Sequence, residues 1–189
     1  MLQPSSYTGI LLAGPPASGK RTVAFALTSL RRSYARVPAL TTATDPPVDA
    51  EPAARAHLDE LRSWAQVLHE FTVDGSGYLY DRERPAGLRE QGRLPVVCVE
   101  DADAPAAFRR ESAGWLPVLL WCPAPEARAR AGRGLRGPVD RGWTRRWERS
   151  SKALLGAATH FTLTLRTDRL DAVDAARIIH AAAQATAPG

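Results

Sequence analysis

Short runs of consecutive apolar residues alternate along the chain with segments in which apolar residues recur every three or four positions. Uninterrupted apolar runs are typical of strands buried on both faces of a sheet, and they cover residues 7–13, 94–99, 115–121 and 161–165, with a shorter candidate at 37–40. The helical spacing predicts helices after Gly19 and over residues 53–68, 84–91, 104–110, 142–155 and 171–183. Strands alternating with helices favour a parallel sheet covered on both faces. We therefore predict an α/β fold of three layers with about five parallel strands.

A proline-rich stretch at residues 44–52 interrupts this alternation. It marks the entrance to an insertion between the second and third strands of the predicted core. The helix predicted over residues 53–68 places Leu58, Leu61, Ala65 and Leu68 on one face. The sequence contains no internal repeat, and its 189 residues predict a single domain.

Composition excludes several classes of protein. With 44% apolar and 24% charged residues, the chain resembles an ordinary globular domain that needs no disulfide or metal to hold its core. Cys98 and Cys122 are too few for a disulfide framework and lack the spacing of a zinc site. No apolar run of about 18 residues occurs, and no basic stretch precedes an apolar one at the start. We expect a cytoplasmic protein without a membrane span.

The net charge of +5 comes from one segment. Residues 125–152 hold nine basic and three acidic side chains, which accounts for the whole excess. Such a patch attracts polyanions, and a nucleoside triphosphate fits this description as well as a nucleic acid does. Trp143 and Trp147 lie within the patch, but two tryptophans four residues apart on a helix are typical of packing. No known nucleic-acid-binding module accompanies the patch, so a nucleic-acid partner is not expected.

Residues 14–22, here called the glycine loop, join the first predicted strand to the first predicted helix. Their sequence is GPPASGKRT, in which Gly14 and Gly19 let the backbone wrap around an anion. Consecutive amides and the helix N-terminus favour phosphate oxygens, and Lys20 is one of only two lysines among 25 basic residues. We expect the phosphates of a nucleotide to bind at Gly14, Ala17, Ser18, Gly19, Lys20, Arg21 and Thr22.

Arg21 occupies the place where such loops usually carry a serine or threonine that binds Mg²⁺. Any Mg²⁺ would then depend on phosphates, waters and acidic residues elsewhere. Glu100 and Asp101 follow an apolar strand, at the sheet edge where parallel-sheet proteins place ligands. They are the candidate metal ligands, with a solvated acidic loop as the alternative. The four histidines show no ligand spacing, and we assign them no role.

From about residue 7 to residue 183, the chain resembles the guanylate kinase branch of the P-loop nucleoside-monophosphate kinases. The glycine loop is the most specific element of the resemblance. Thr41-Thr42 is similar to that family's acceptor-binding segment, and Glu70 followed by Gly75-Ser76-Gly77-Tyr78 is similar to its insertion. The resemblance implies a P-loop kinase core (residues 5–40, 84–124 and 150–184), an acceptor-binding insertion (41–83) and a basic lid (125–149).

The same resemblance implies roles for particular residues. Arg130, Arg133 and Arg146 would act with Lys20 in catalysis, and Arg166 would contact the nucleotide. The acceptor would bind at Thr41, Thr42, Glu70, Tyr78 and Glu100.

The chain departs from the guanylate kinase pattern on the acceptor side. That family normally continues Thr-Thr with an arginine and then a second arginine, whereas Ala43, Thr44 and Asp45 follow here. Cys98 stands where an aspartate would contact guanine. Two arginine–phosphate contacts are therefore missing, and GMP is not the expected acceptor. A family that phosphorylates ribose 1,5-bisphosphate is also similar, in the strand at residues 116–120 and in the lid entry, although it usually retains one acceptor arginine.

These observations favour an ATP-dependent phosphotransferase that uses Mg²⁺ and a small phosphorylated acceptor, as a monomer or homodimer. The alternative is a degenerate kinase fold retained as a binding module, which the missing acceptor arginines favour and the intact Lys20 opposes. A nucleic-acid-binding protein that uses the basic patch is the third hypothesis.

Overall fold

The computed structural model describes residues 7–47, 49–73, 75–134 and 139–185. The chain forms, in order, β1 (Gly9–Ala13), α1 (Lys20–Leu30), β2 (Tyr34–Arg36), β3 (Ala39–Thr41), β4 (Ala50–Pro52), α2 (Arg55–Ser63), β5 (Val67–Val73), β6 (Ser76–Asp81), α3 (Glu83–Glu90), β7 (Leu94–Val99), α4 (Ala104–Glu111), β8 (Trp115–Trp121), α5 (Ala124–Gly134), α6 (Arg141–Gly156), a 3₁₀ turn (Ala158–His160), β9 (Leu163–Arg166) and α7 (Ala172–Gln184).

A parallel five-stranded sheet, here the first sheet, forms the centre of the fold. Its strand order is β2-β7-β1-β8-β9, and β1 pairs in parallel with β7 on one side and β8 on the other. All five residues of β1 are buried because both faces of the sheet are covered. The predicted α/β architecture is confirmed.

Alternate residues of the central strand pack against helices on opposite faces. Leu12 belongs to a core cluster with Leu27 of α1 and Ile179 of α7. Leu11, its neighbour, packs in a second cluster with Phe108 of α4 and Leu154 of α6. Side chains alternate between the faces of a strand, so a continuous apolar run supplies both cores. The result is the predicted arrangement of three layers.

A second sheet of four strands, in the order β4-β3-β6-β5, lies within residues 39–81. Helix α2 covers it through Leu58 and Leu61, which pack with Leu40 and Leu79. The strands β5 and β6 form an antiparallel hairpin. This sheet was not predicted from the sequence.

The helix predicted over residues 53–68 is wrong over its last five residues. Helix α2 ends at Ser63, and Ala65 turns the backbone with a φ of 54°. Leu68 then lies in β5, where apolar and polar residues alternate. The spacing of Leu58, Leu61 and Leu68 matched a helix by coincidence, because only the first two belong to one. The strand candidate at residues 37–40 is also displaced, since β2 ends before it and β3 begins inside it.

The basic segment after β8 forms two helices, α5 and α6. Asp140 caps the second by accepting a hydrogen bond from Trp143 N (2.8 Å), which satisfies a free amide of the first turn. Residues 135–138 of the predicted lid lie outside the described residues. Within the described ranges, none of the helices has the length and apolar character needed to cross a membrane.

The core packing predicts a large difference between two leucine truncations. Leu119 is fully buried in β8, whereas Leu155 on α6 is 44% exposed. Leu119→Ala should lower the free energy of unfolding by about 2–5 kcal/mol, because it removes buried methyl groups and leaves a cavity. Leu155→Ala, the matched control, should cost less than about 1 kcal/mol. Urea denaturation followed by circular dichroism measures both, and equal losses would contradict the described packing.

Candidate functional site

A cavity of about 670 Å³, here the main cavity, opens at the carboxyl end of the first sheet. Its walls come from the glycine loop, the second sheet and the helices α5 and α6. Volumes of this size are typical of sites for small ligands. Crevices at the carboxyl ends of parallel strands are where α/β proteins bind them.

The glycine loop is a tight cradle. Ala17 and Gly19 have left-handed backbones, with φ of 58° and 92°, and a Cβ at Gly14 would collide with the carbonyl oxygen of Leu120 and the hydroxyl of Ser18. The buried Ser18 hydroxyl has no hydrogen-bond partner within the described residues. Successive turns of this kind direct backbone amides inward and form a concave anion site. The loop therefore has the shape and the polarity to hold a phosphate group.

Lys20 and Arg146 meet at the carboxylate of Glu100. The Lys20 ammonium lies 3.4 Å from Glu100 Oε1 and donates to the carbonyl oxygens of Gly14 (2.7 Å) and Pro15 (3.0 Å). The Arg146 guanidinium donates to Glu100 Oε2, with Nη2 at 2.6 Å. Two cations from distant parts of the sequence thus converge on one acidic group at the mouth of the glycine loop.

The charge of Glu100 is maintained by these two cations. Burial acts to raise the pKa of the carboxyl group, but Lys20 and then Arg146 outweigh it, so the pKa lies below its ordinary value. Ser150 also donates to the backbone carbonyl of Glu100 (2.7 Å), which ties helix α6 to the end of β7. Glu100 is therefore an ionised anchor for the two cations.

Arg130 connects helix α5 to the glycine loop through Thr167. Its Nη1 donates to the Thr167 hydroxyl (2.9 Å), which in turn donates to the carbonyl of Ser18 (2.8 Å). Arg133 also lines the main cavity, is exposed, and makes no hydrogen bond or ion pair within the described residues. Of the three predicted lid arginines, Arg146 and Arg130 are held in place, and Arg133 is the one without such a contact.

Arg166 lies outside the residues that line the main cavity. Its guanidinium pairs with Asp168, with Nη2 at 2.7 Å from Oδ2, and stacks over the ring of Trp121. The hydrogen bond from Arg166 lowers the pKa of Asp168 to about 2. Sequence reasoning singled out Arg166, whereas Thr167, one residue later, is the side chain that contacts the glycine loop.

Of the predicted acceptor-binding residues on the second sheet, only Tyr78 lines the main cavity. Thr41 is buried, and its hydroxyl donates to the carbonyl of Gly77 (2.7 Å). Thr42 is exposed and does not line the cavity. Glu70 forms an ion pair with Arg62 and also lies outside the cavity lining, because its side chain alternates away from that face.

Three stacked rings of the second sheet, here the aromatic wall, also line the main cavity, and of these only Tyr78 was predicted from the sequence. Phe71 stacks on Tyr78 with ring centroids 5.4 Å apart and on Tyr80 at 6.1 Å, and all three rings line the main cavity. The alternation of residues 67–73 and 76–81 is the signal that would have placed them on one face of a hairpin.

Cys98 of β7 lines the main cavity, and its backbone is hydrogen-bonded to Tyr80 of the second sheet. The Tyr80 hydroxyl donates to the Cys98 carbonyl (2.8 Å) and accepts from its amide (3.3 Å). Burial, with a smaller contribution from Asp49, raises the pKa of the Cys98 thiol to about 12. The residue thus presents a neutral thiol to the main cavity.

Asp101 does not line the main cavity and is held instead by His69 and the start of helix α4. Its Oδ2 lies 2.6 Å from Nε2 of the buried His69, and its Oδ1 accepts from the amides of Asp103 (2.7 Å) and Ala104 (3.1 Å). Burial raises the pKa of Asp101. The contacts with His69 and with the two backbone amides lower it by more, so the pKa lies below its ordinary value. His69, to which we assigned no role, joins the second sheet to the core.

The side chains at the main cavity do not fit a metal ion held directly by the protein. Arg21 replaces the usual hydroxyl and pairs instead with Asp49, Nη2 to Oδ1 at 2.9 Å. Glu100 already binds two cations, and Asp101 binds His69. Within the described residues there is no group of three histidine, cysteine or acidic side chains arranged to hold a metal.

Comparison with known proteins agrees with this architecture. No protein-family profile matches the sequence, and no curated protein matches it. Among solved structures, the chain is similar to guanylate kinase from Anaplasma phagocytophilum, with a TM-score of 0.67 and 17% sequence identity, over 97% of this chain and 87% of that chain. The protein therefore has a guanylate kinase-like fold, as the motifs predicted.

The Glu100 contacts predict an acid-sensitive contribution to stability. Glu100→Gln removes the negative charge that Lys20 and Arg146 share, so at neutral pH we expect unfolding to require roughly 1–3 kcal/mol less free energy. A carboxyl group whose pKa is lowered on folding stabilises the protein above its ordinary pKa, and that contribution disappears as the pH falls through the lowered value.

The difference between wild type and Glu100→Gln should therefore shrink as the pH falls below the ordinary carboxyl value of 4.5. Urea titrations at several pH values measure it, with the exposed Glu90→Gln as a control. A difference that stays constant down to the most acidic conditions would show that Glu100 is not the ionised anchor.

Proposed function

We propose that the protein is an ATP-dependent phosphotransferase that transfers the γ-phosphoryl group of ATP to a small phosphorylated acceptor. The observation that carries the proposal is the convergence of Lys20 and Arg146 at the mouth of a cradle whose Ser18 hydroxyl has no hydrogen-bond partner among the described residues. Phosphoryl transfer is catalysed mostly by positioning and by stabilisation of charge. It needs fixed cations and an anion cradle rather than a nucleophilic side chain.

The donor phosphates would bind along the glycine loop, at Gly14, Ala17, Ser18, Gly19, Lys20, Arg21 and Thr22. Lys20 lies at the start of α1, where the helix N-terminus adds favourable potential for an anion. Its ammonium donates to two loop carbonyls. Phosphate oxygens are stronger acceptors for a cation than carbonyls, so bound ATP would compete for this ammonium.

Arginines from α5 and α6 would neutralise the charge that develops during transfer. Arg146, anchored by Glu100, provides a fixed charge, and Arg133 provides one that is free to reorient. Arg130 would act through its contact with Thr167, which holds α5 against the glycine loop. As the bond from the γ-phosphorus to the bridging oxygen of ADP breaks, a new bond forms to an acceptor oxygen.

Magnesium would not have a direct protein ligand at this site. The fold family implies Mg²⁺, but Arg21 provides no oxygen, and Glu100 and Asp101 are paired. Phosphate oxygens and water would remain as its ligands, and none of the proposed roles depends on a metal bound by the chain.

The acceptor side argues against GMP. Ala43 carries no cation for the acceptor phosphate, and Cys98 presents a neutral thiol where guanine recognition would need a carboxylate. Thr41 bonds to Gly77 and Glu70 pairs with Arg62. Of the acceptor contacts predicted on the second sheet, Tyr78 remains, and it belongs to the aromatic wall. We infer a phosphorylated nucleotide or sugar other than GMP.

A panel of acceptors tests the proposal directly. Release of ADP from Mg·ATP would be measured with GMP, dGMP, AMP, CMP, UMP, ribose 1,5-bisphosphate and other phosphorylated metabolites. Turnover of one acceptor at roughly 1–100 per second, the ordinary range of kinases, would establish the activity. ATP binding without turnover of any acceptor would favour the alternative of a binding module, and failure to bind ATP would overturn the proposal.

Lys20→Ala should abolish turnover and weaken ATP binding while the fold remains intact. The matched control is Lys152→Ala, because Lys152 is the other lysine of the chain and lies exposed on α6. The control should retain wild-type rates. Activity and thermal unfolding of both variants give the result, and full activity of folded Lys20→Ala would disprove the assigned role.

A further inference from the structure

A second cavity of about 250 Å³, here the side cavity, adjoins the main cavity. Arg21, Asp49 and Cys98 line both cavities, so the two spaces meet at these side chains. The side cavity lies between helix α1, strand β2 and the start of β4. It is built from residues that the proposed donor site does not use, apart from Arg21.

Arg36 contributes a guanidinium group without a polar partner. It lines the side cavity, and within the described parts of the chain it makes no hydrogen bond or ion pair. Its guanidinium stacks on Phe25, 3.8 Å from the ring centroid. Stacking fixes the plane of the group but leaves its five N–H donors at the edges unused. Arg36 is therefore a partly buried, pre-oriented cation with free donors.

The charges around the side cavity leave a positive excess. Glu51 lines it but pairs with Arg84, 3.0 Å away, which lies outside the lining. Two guanidinium groups, those of Arg21 and Arg36, then face the single carboxylate of Asp49. Arg21 and Asp49 are both partly exposed, at 47% and 28% of their side chains, so an anion in solution can compete for the same guanidinium.

We propose that the side cavity binds the phosphate group of the acceptor, with Arg36 as the principal cation and Arg21 as the second. The phosphate would take the place of Asp49 on Arg21. Arginine forks match the geometry of phosphate oxygens. The assignment accounts for two features together: an arginine after Lys20, and the absence of a cation at Ala43. That the bound group belongs to the acceptor rests on the proposed function; that the cavity binds phosphate does not.

Inorganic phosphate is the probe for the first test. ¹H–¹⁵N spectra of arginine Nε groups would be recorded on the full chain during a titration with phosphate, and with chloride at the same ionic strength. The Arg36 resonance is assigned by its absence in Arg36→Met. A saturable shift of Arg36 and Arg21 that persists in Lys20→Met is expected. A shift that chloride reproduces, or one that disappears in Lys20→Met, would overturn the proposal.

Two substitutions should change the phosphate affinity in opposite directions. Arg36→Met, which keeps an unbranched chain over Phe25, should weaken binding seen at Arg21 by at least about tenfold. Asp49→Asn should tighten it on the order of threefold, because a competing charge is removed from a partly exposed site. Arg32→Met is the matched control, since Arg32 is exposed in the turn before β2. Unchanged affinity in folded Arg36→Met, or weaker binding in Asp49→Asn, would contradict the proposal.

The second test separates this proposal from the proposed function. With the acceptor identified by the panel, Arg36→Met should raise the KM for the acceptor by at least about tenfold and leave the KM for ATP unchanged. An unchanged acceptor KM would remove the acceptor assignment while the kinase activity stood. If phosphate binds at Arg36 but ATP does not bind the chain, the kinase proposal and the acceptor assignment both fail, and only an anion site remains.

Discussion

The arrangement of the site depends on the ion pairs that the carboxylate of Glu100 forms with Lys20 and Arg146. Glu100 follows the buried strand β7, so its position is set by the first sheet, and it holds Lys20 of α1 and Arg146 of α6. Without an ionised group at this point, two cations would lie close together in a partly buried space, which is costly. One acidic side chain thus allows the basic segment to fold back over the glycine loop.

A second set of contacts joins the same elements from the other side. Arg130, Thr167 and the carbonyl of Ser18 form a chain of hydrogen bonds that fixes α5 and the end of β9 to the glycine loop. The loop is therefore enclosed by elements from three separated parts of the sequence. Its geometry depends on tertiary contacts as well as on its glycines.

The three central strands of the first sheet were predictable because they are buried on both faces, so that β7 and β8 read as uninterrupted apolar runs with their observed bounds. The second sheet was not predicted, because β3 and β4 have only three residues each and the helical spacing of Leu58 and Leu61 extended to Leu68 of β5. The glycine loop was found since its residues are contiguous. The contacts of His69, Thr167 and Asp49 were not predicted, because each of these residues contacts one that is distant in the sequence.

The pairing of His69 with Asp101 places the attachment of the second sheet beside the attachment of the two cations. Asp101 is adjacent to Glu100, and His69 belongs to the second sheet, so one peptide unit separates the tether of that sheet from the anchor of the two cations. The peptide unit between Glu100 and Asp101 is planar and stiff. The attachment of the second sheet and the attachment of the two cations are therefore held a short and nearly constant distance apart.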